Sequence, residues 1–241
     1  MSNPSEETIF SFHLAKSSWI TTLQSLYNPP NEKSVPGLKN AECMTVMTLG
    51  AAILSPKRMQ LNHLAMFAEW ENEVALEMFL NNTKLGRVFS GGWHVRMTFL
   101  RRWGQVAEFS HLPEIIGNSE SESPVVAVTL ARMRLLEVPR FIHWGKPVEK
   151  LVRDHPGKTL ALAAMRLPRT VSTFTIWKSQ DIMREMVTGT GHSKVDQPKR
   201  HATAMKERER KDFHFEFTTL RFKPIAEYGS WQGETNLIPK V

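Results

Sequence analysis

The segment Thr188–His192 combines residue types that could support chemistry. Gly189 and Gly191 permit unusual backbone angles and the close approach of a bulky group. His192 follows them directly, and its ring could bind a metal or transfer a proton. The corresponding segment of the first half, residues 81–87, contains no histidine. The two glycines do not form a dinucleotide fingerprint, because the third glycine and the preceding strand are missing. A helix cap or a surface histidine remains an equally ordinary interpretation.

Several other chemistries lack their sequence signatures. No His-x-x-x-His or Cys-x-x-Cys pair occurs, which argues against a zinc site. There is no Gly-x-Ser-x-Gly elbow and no phosphate-binding Gly-x-x-x-x-Gly-Lys loop. The single cysteine, Cys43, excludes an intrachain disulfide and is expected to be a buried, inert thiol. Because neither a secretory signal nor an apolar run of about 20 residues is visible, we expect a cytoplasmic protein.

The net charge of +7 attracts anionic partners. Much of the excess lies in one run, formed by Lys194, Lys199, Arg200, Lys206, Arg208, Arg210 and Lys211. No aromatic residue interrupts this run before Phe213, so it offers no stacking platform for bases, and we expect no nucleic-acid partner. The simplest interpretation is a solvated helix face.

Three short sequence patterns, here called marks, recur in the same order in both halves of the chain. They are Leu14-Ala15-Lys16 and Leu130-Ala131-Arg132, then Pro36-Gly37 and Pro156-Gly157, then Phe67-x-x-Trp70 and Phe174-x-x-Trp177. With the intervening apolar periodicities, each half is predicted to be β-α-β-β-α-β, the ferredoxin-like pattern. One such sheet leaves a face bare, and two can bury their bare faces together. We therefore predict an α+β protein with two tandem ferredoxin-like repeats, residues 1–110 and 125–241, joined by a linker at 111–124 into one compact domain.

The second half resembles the spheroidene monooxygenase family of bacterial carotenoid biosynthesis. The matching segments are Val128–Arg132, Arg140–Trp144 followed by Pro147, Thr173–Trp177, Gly191-His192, and Leu220–Phe222 running on to Gly229–Gly233. The first half agrees more loosely, through Pro36-Gly37 and the strand that ends at Trp70. Two segments depart from the family pattern: Ala163–Thr170 replaces a glycine-rich stretch, and Phe213–Phe217 replaces an aromatic-acidic one. These departures leave room for a different apolar substrate.

The resemblance implies a monooxygenase that contains heme b and introduces oxygen, as a keto group, into a long carotenoid-like polyene. It also implies a fold related to the dimeric α+β barrels, with both halves in one chain. Heme-dependent aldoxime dehydratases and chlorite-decomposing enzymes use similar barrels. The histidine that follows the glycine turn falls on His192, which becomes the expected axial ligand of the iron. Electrons would come from a separate donor such as a ferredoxin, because no flavin or iron–sulfur motif is present.

Further site residues follow from this hypothesis. Arg169, Lys194 or Arg200 could pair with the heme propionates through charge-assisted hydrogen bonds. Phe174, Trp177, Met183 and Met186 could line the pocket, although they equally suit an ordinary core. The basic face from Lys199 to Lys211 could dock an acidic ferredoxin or an anionic membrane that holds the substrate. A heme-dependent dehydratase and a heme-free barrel that binds an apolar ligand remain the alternatives. The catalytic residues and the oligomeric state stay unassigned.

Overall fold

The computed structural model describes residues 7–51, 58–117, 121–190 and 199–240. The strands within these ranges are β1 Ile9–Lys16, β2 Leu38–Met47, β3 Met59–Trp70, β4 Trp93–Gln105, β5 Val125–Met133, β6 Lys158–Arg166, β7 Thr170–Trp177 and β8 His214–Gly229. The helices are α1 Trp19–Tyr27, α2 Glu73–Asn82, α3 Lys84–Ser90, α4 Val138–Asp154, α5 Gln180–Thr188 and α6 Arg200–Arg210. Each half therefore has the order β-α-β-β-α-α-β, so the predicted second helix is a helix pair.

The hydrogen-bonded strand order is β1-β3-β2-β6-β7-β5-β8-β4, and the antiparallel sheet closes on itself as a barrel. The predicted α+β fold of two ferredoxin-like repeats forming a barrel within one chain is thereby confirmed. No helix within the described residues is long and apolar enough to cross a membrane. The cytoplasmic location and the repeat boundaries at 110 and 125 stay predictions.

The same strand pairings and turn hydrogen bonds occur at equivalent positions in the two halves. Ile9 of β1 pairs with Trp70, and Val125 of β5 pairs with Trp177. After each tryptophan the next backbone N–H donates to the glycine carbonyl of a Pro-Gly turn. Glu71 N lies 2.8 Å from Gly37 O, and Lys178 N lies 2.9 Å from Gly157 O. This agreement in register shows that the recurring Pro-Gly and Phe-x-x-Trp marks reflect a recurring structure.

Two compact units divide the chain. Unit 1 comprises Met1–Val46, Gln60–Phe99 and Phe222–Leu237. Its helix-facing core includes Cys43, Trp70, Phe79 and Phe89, so the prediction of a buried cysteine is confirmed. On the other face of its strands, the Phe10 ring lies 5.0 Å from Phe222 and 6.1 Å from Phe67, measured between centroids.

Unit 2 comprises Met47–Met59, Leu100–Arg221 and Ile238–Val241. Val125, Leu151, Trp177, Met183 and Met186 form its helix-facing core. This core joins β5 and β7 to helices α4 and α5. Unit 2 also contains the helices of the second half. The first of them, α4, has 17 residues, whereas the corresponding α1 of unit 1 has 9.

Candidate functional site

Helix α4 is held in place at both ends. Before its first turn, Glu137 pairs with Lys211 at the end of α6, and Arg140 Nε lies 3.3 Å from a Glu137 carboxylate oxygen. Near its last turn, Glu149 accepts hydrogen bonds from Arg58 Nη2 at 2.8 Å and from the backbone N–H of Gly50 at 2.9 Å. Partly buried charged bonds of this kind are stronger than neutral ones. These bonds hold both ends of α4 in place, and one side of α4 forms the wall of the cleft described next.

One stripe of α4 lines a cleft of about 620 Å³. The lining residues are Pro139, Ile142, His143, Lys146, Pro147, Lys150 and Arg200, the last from α6. The α4 members recur every three or four residues, which places them on one side of the helix. Pro147 has no N–H to donate to the carbonyl of His143, one turn earlier. The cleft is a wide groove that is largely open to solvent, so a ligand bound there would stay partly exposed.

The chemistry of the cleft combines an apolar wall with positive charge. Ile142 and Pro147 provide apolar surface, and Lys146, Lys150 and Arg200 carry positive charges. Ammonium and guanidinium groups bind carboxylates and phosphates through charge-assisted hydrogen bonds. The arrangement therefore suits a ligand with an apolar body and one or more anionic groups.

The structure separates the charged residues predicted for the site. Arg200 lines the cleft. Arg169 lies in the exposed β6–β7 turn, where its guanidinium stands 5.7 Å from the Phe215 ring and its carbonyl accepts a hydrogen bond from Met133 N. His192 and Lys194 fall outside the described residues, so their predicted roles stay predictions. At the preceding glycine turn, Gly189 ends α5 with φ +71°, which confirms the unusual backbone angle expected there.

The apolar residues predicted for the pocket are all buried, but they do not lie together. Trp177, Met183 and Met186 pack with one another in the unit 2 core. Phe174 is fully buried among its β-sheet neighbours Val128 and Leu162, on the opposite face of β7 from Trp177. None of the four lines the α4 cleft. As placed, they form the packed interior beside the cleft rather than its wall.

Two histidines that were not among the predicted site residues lie on the helices α4 and α6, which contribute the cleft lining. His143 is exposed and lines the cleft. His201 follows Arg200 on α6, and burial lowers the pKa of its ring, which interacts with the Val187 backbone. Its Nδ1 is buried and has no hydrogen-bond partner among the residues the structure describes. Histidines that bind metals commonly donate their other ring N–H to a carbonyl. In the sequence, only the position of His201 next to Arg200 pointed to it. Its burial could not be predicted, because that burial depends on how α5 packs against α6.

The other buried histidines of unit 2 have packing roles. His155 Nδ1 accepts a hydrogen bond of 3.1 Å from Gly157 N, and its ring meets Trp177 edge-on at 5.2 Å. His214 lies among Phe141, Phe213 and Phe217, and burial lowers its pKa to about 4. No group of three or more metal-binding side chains occurs within the described residues.

Unit 1 has a buried polar network on its corresponding sheet. Arg96 donates to Glu73 and Glu77 of α2 and lies over the Tyr228 ring. The His94 ring stacks on Tyr228, with centroids 4.8 Å apart, and burial lowers the pKa of His94 to about 4. The ion pairs of Arg96 tie α2 to β4, and its contact with Tyr228 ties β4 to β8.

Comparisons with known proteins show the fold. No protein-family model matches the chain, and no curated protein matches its sequence. An aldoxime dehydratase solved with butyraldoxime is similar with a TM-score of 0.56 at 5% identity, over 93% of this chain and 81% of the other. A second aldoxime dehydratase gives 0.50 at 8% identity, over 90% and 81%. A ferredoxin fold protein from Listeria monocytogenes, related to antibiotic biosynthesis monooxygenases, gives 0.31 at 12% identity, over 92% and 98%. At these identities the likeness concerns the barrel alone.

Proposed function

We propose that this chain is a heme-dependent enzyme that acts on an apolar small molecule, and that its reaction is the insertion of oxygen into a carotenoid-like substrate. The observation that carries the proposal is the cleft of unit 2, where positive charges surround an apolar wall. The resemblance of the second half to the spheroidene monooxygenase family supports the same cofactor and reaction.

The described residues fit heme b. This cofactor joins a flat apolar ring to two carboxylates, and the cleft presents Ile142 and Pro147 beside Lys146, Lys150 and Arg200. The three cations would hold the carboxylates, and the apolar wall would contact one face of the ring. When bound, the iron would supply the oxygen chemistry, which the protein tunes through the axial ligand and the pocket.

Three histidines are candidates for the axial position. His192 is the one that the family resemblance implies. His201 offers a buried Nδ1 that has no partner within the described part of the chain, and its interaction with the Val187 backbone would orient the ring. His143 stands at the cleft itself. We retain His192 as the proposed ligand and treat the other two as the alternatives that the experiment must separate.

A second candidate reaction is dehydration of an aldoxime. It is favoured by one observation, namely that two of the similar solved structures, at TM-scores of 0.56 and 0.50, are aldoxime dehydratases. A heme-free barrel that binds an apolar ligand is the third candidate, and the Pro139–Lys150 stripe would then bind an anionic lipid-like molecule directly.

The proposed oxygenase needs an electron donor, for which an acidic ferredoxin remains our proposal. Within the basic run, Arg208, Arg210 and Lys211 form ion pairs with Asp212, Glu207 and Glu137. These pairs reduce the net field of the C-terminal part of α6. A donor would therefore be attracted more strongly to the end of α6 that begins at Arg200.

The test is addition of hemin to the purified full chain, followed by absorbance spectroscopy. We expect a Soret band that His192→Ala shifts or abolishes, whereas His143→Ala, His201→Ala and the unit 1 control His63→Ala leave it unchanged. A shift in His201→Ala or His143→Ala alone would transfer the ligand role to that residue. A chain that gives no Soret band with hemin would contradict both heme-dependent reactions.

Turnover separates the two reactions once heme binds. The oxygenase requires molecular oxygen and a reductant, and it yields a product that contains an oxygen atom from the gas. Conversion of butyraldoxime without oxygen would instead support the dehydratase.

A further inference from the structure

Three loops of unit 2 expose large apolar side chains at one place. Leu135 and Leu136 lie in the turn between β5 and α4, and they are 48% and 95% exposed. Leu167, in the β6–β7 turn, is 62% exposed, and Phe215, at the start of β8, is 47% exposed. We call these four residues the loop patch. Single exposed apolar residues are ordinary, but several on adjacent loops indicate an interaction surface.

Backbone hydrogen bonds bring the three loops together. Met133 N donates to Arg169 O at 2.9 Å, which joins the end of β5 to the β6–β7 turn. Arg134 N donates to Phe213 O at 2.9 Å, and Arg134 Nε donates to His214 O at 3.1 Å. The second pair of bonds joins the same end of β5 to the start of β8. The loop patch is therefore a fixed feature of unit 2 and does not depend on side-chain positions alone.

The rim of the loop patch is positively charged. Arg134, before Leu135, and Arg169, in the β6–β7 turn, are both exposed. The guanidinium of Arg169 lies 5.7 Å from the Phe215 ring, so charge and apolar surface are in direct contact.

The neighbouring carboxylates do not cancel this charge, because Glu137 interacts with three cations, Lys211, Arg140 and Arg134. Glu137 pairs with Lys211 and Arg140, and Asp212 lies 3.6 Å from Arg208. Arg134 and Arg169 thus flank an apolar centre, and the nearby carboxylate of Glu137 is shared among several cations.

We propose that the loop patch docks this protein on the surface of an anionic lipid bilayer. Apolar side chains in a cationic rim match such a surface, where aliphatic groups enter the interface and arginines meet the lipid phosphates. Leu136 projects almost wholly into solvent from a turn, a geometry that suits insertion into a fluid interface. The proposal does not rest on heme, and it places membrane contact at these loops and not at the basic run of α6.

The experiment is vesicle co-sedimentation of the full chain. The protein should bind vesicles of phosphatidylcholine with phosphatidylglycerol, bind phosphatidylcholine alone far less, and be released by high salt. Leu136→Ser with Leu167→Ser should weaken partitioning by about tenfold or more, because apolar area is lost from the interface. Arg134→Gln with Arg169→Gln should weaken it by about tenfold on anionic vesicles only.

Matched controls come from unit 1. Tyr27→Ser removes a side chain that is 92% exposed on α1, and Arg87→Gln removes an exposed charge, and both should bind like the wild type. Circular dichroism should show that all variants are folded. The proposal is wrong if the wild type does not bind anionic vesicles, or if the leucine variant binds as well as the control. Binding to polyglutamate with the same leucine dependence, in the absence of vesicle binding, would overturn it in favour of an acidic protein partner.

Discussion

Gly37 and Gly157 occupy equivalent turns, and each leaves room for the helix that follows the Phe-x-x-Trp strand. A Cβ at Gly37 would lie 2.5 Å from Ala75 Cβ, and one at Gly157 would lie 2.1 Å from Ile182 Cγ2. Ala75 and Ile182 are themselves equivalent, because each backbone N–H donates to the N-cap side chain of its helix, Asn72 and Ser179 respectively. The glycines are thus required by close helix–sheet packing.

Gly37→Ala should lower the free energy of unfolding by about 1–3 kcal/mol, because the methyl group overpacks the helix and the residue has a left-handed backbone. Gly37 has φ +75°. Gly233→Ala is the matched control: its φ is +87° and nothing lies within 4 Å of the added Cβ, so it isolates the backbone cost. Urea unfolding should show the larger loss for Gly37→Ala. Equal losses would show that packing against Ala75 contributes nothing.

The buried imidazole of His214 predicts a loss of stability in acid. Burial and the charge of Arg208 lower its pKa to about 4, from the ordinary value near 6.5. The folded state therefore favours the neutral ring. This contribution is fully present above about pH 6.5 and is lost as the pH falls from there toward about 4.

His214→Phe should flatten the pH dependence of the free energy of unfolding between about pH 4 and 6.5, since the phenyl ring suits the surrounding aromatic side chains. Urea unfolding across this range measures the effect. His143→Phe, at an exposed position, should retain the wild-type curve. If His214→Phe also retains it, His214 does not titrate with folding.

At the scale of elements, the strands could be predicted closely from sequence. The Phe174-x-x-Trp177 mark lies in the observed strand Thr170–Trp177, where Phe174 and Trp177 are buried on opposite faces of the sheet. The cleft could not be predicted. It depends on the length of α4 and on its contacts with α6, and Leu151 is the fully buried α4 residue, so the sequence does not indicate which partly exposed α4 residues face a cleft. His201 was missed for the same reason, since its burial arises between helices.

The N-cap of α5 provides a test of one element. The Ser179 side chain accepts a hydrogen bond from Ile182 N at 3.2 Å. Ser179→Ala should cost about 1 kcal/mol of stability, and Ser179→Asp should retain it, because a carboxylate also caps the helix and opposes its dipole. Thermal unfolding followed by circular dichroism distinguishes the variants. Equal stability of the alanine and aspartate variants would show that the cap is not used.

At the scale of the molecule, the two copies share a scaffold and differ in their helices. Equivalent registers, Pro-Gly turns and helix caps recur in both. The second copy alone has the long α4, with its cationic stripe, and a histidine-bearing α6. The duplication and the fold could be predicted from the sequence, because both depend on short sequence patterns that recur in the two halves. In the sequence, the difference between the two halves could be recognised only at His192. The structure adds a second difference, which is the set of cleft residues on α4.

The central claim is that heme binds in the cleft of unit 2, and a hemin titration of charge variants tests it most directly. Lys146→Gln with Arg200→Gln should raise the hemin dissociation constant by about tenfold or more, because each lost charge–carboxylate contact costs on the order of 1 kcal/mol. The control is Arg87→Gln with Lys84→Gln on α3 of unit 1, which should bind hemin like the wild type. Equal affinities for the cleft variant, the control and the wild type would contradict the assignment of the cleft as the heme site.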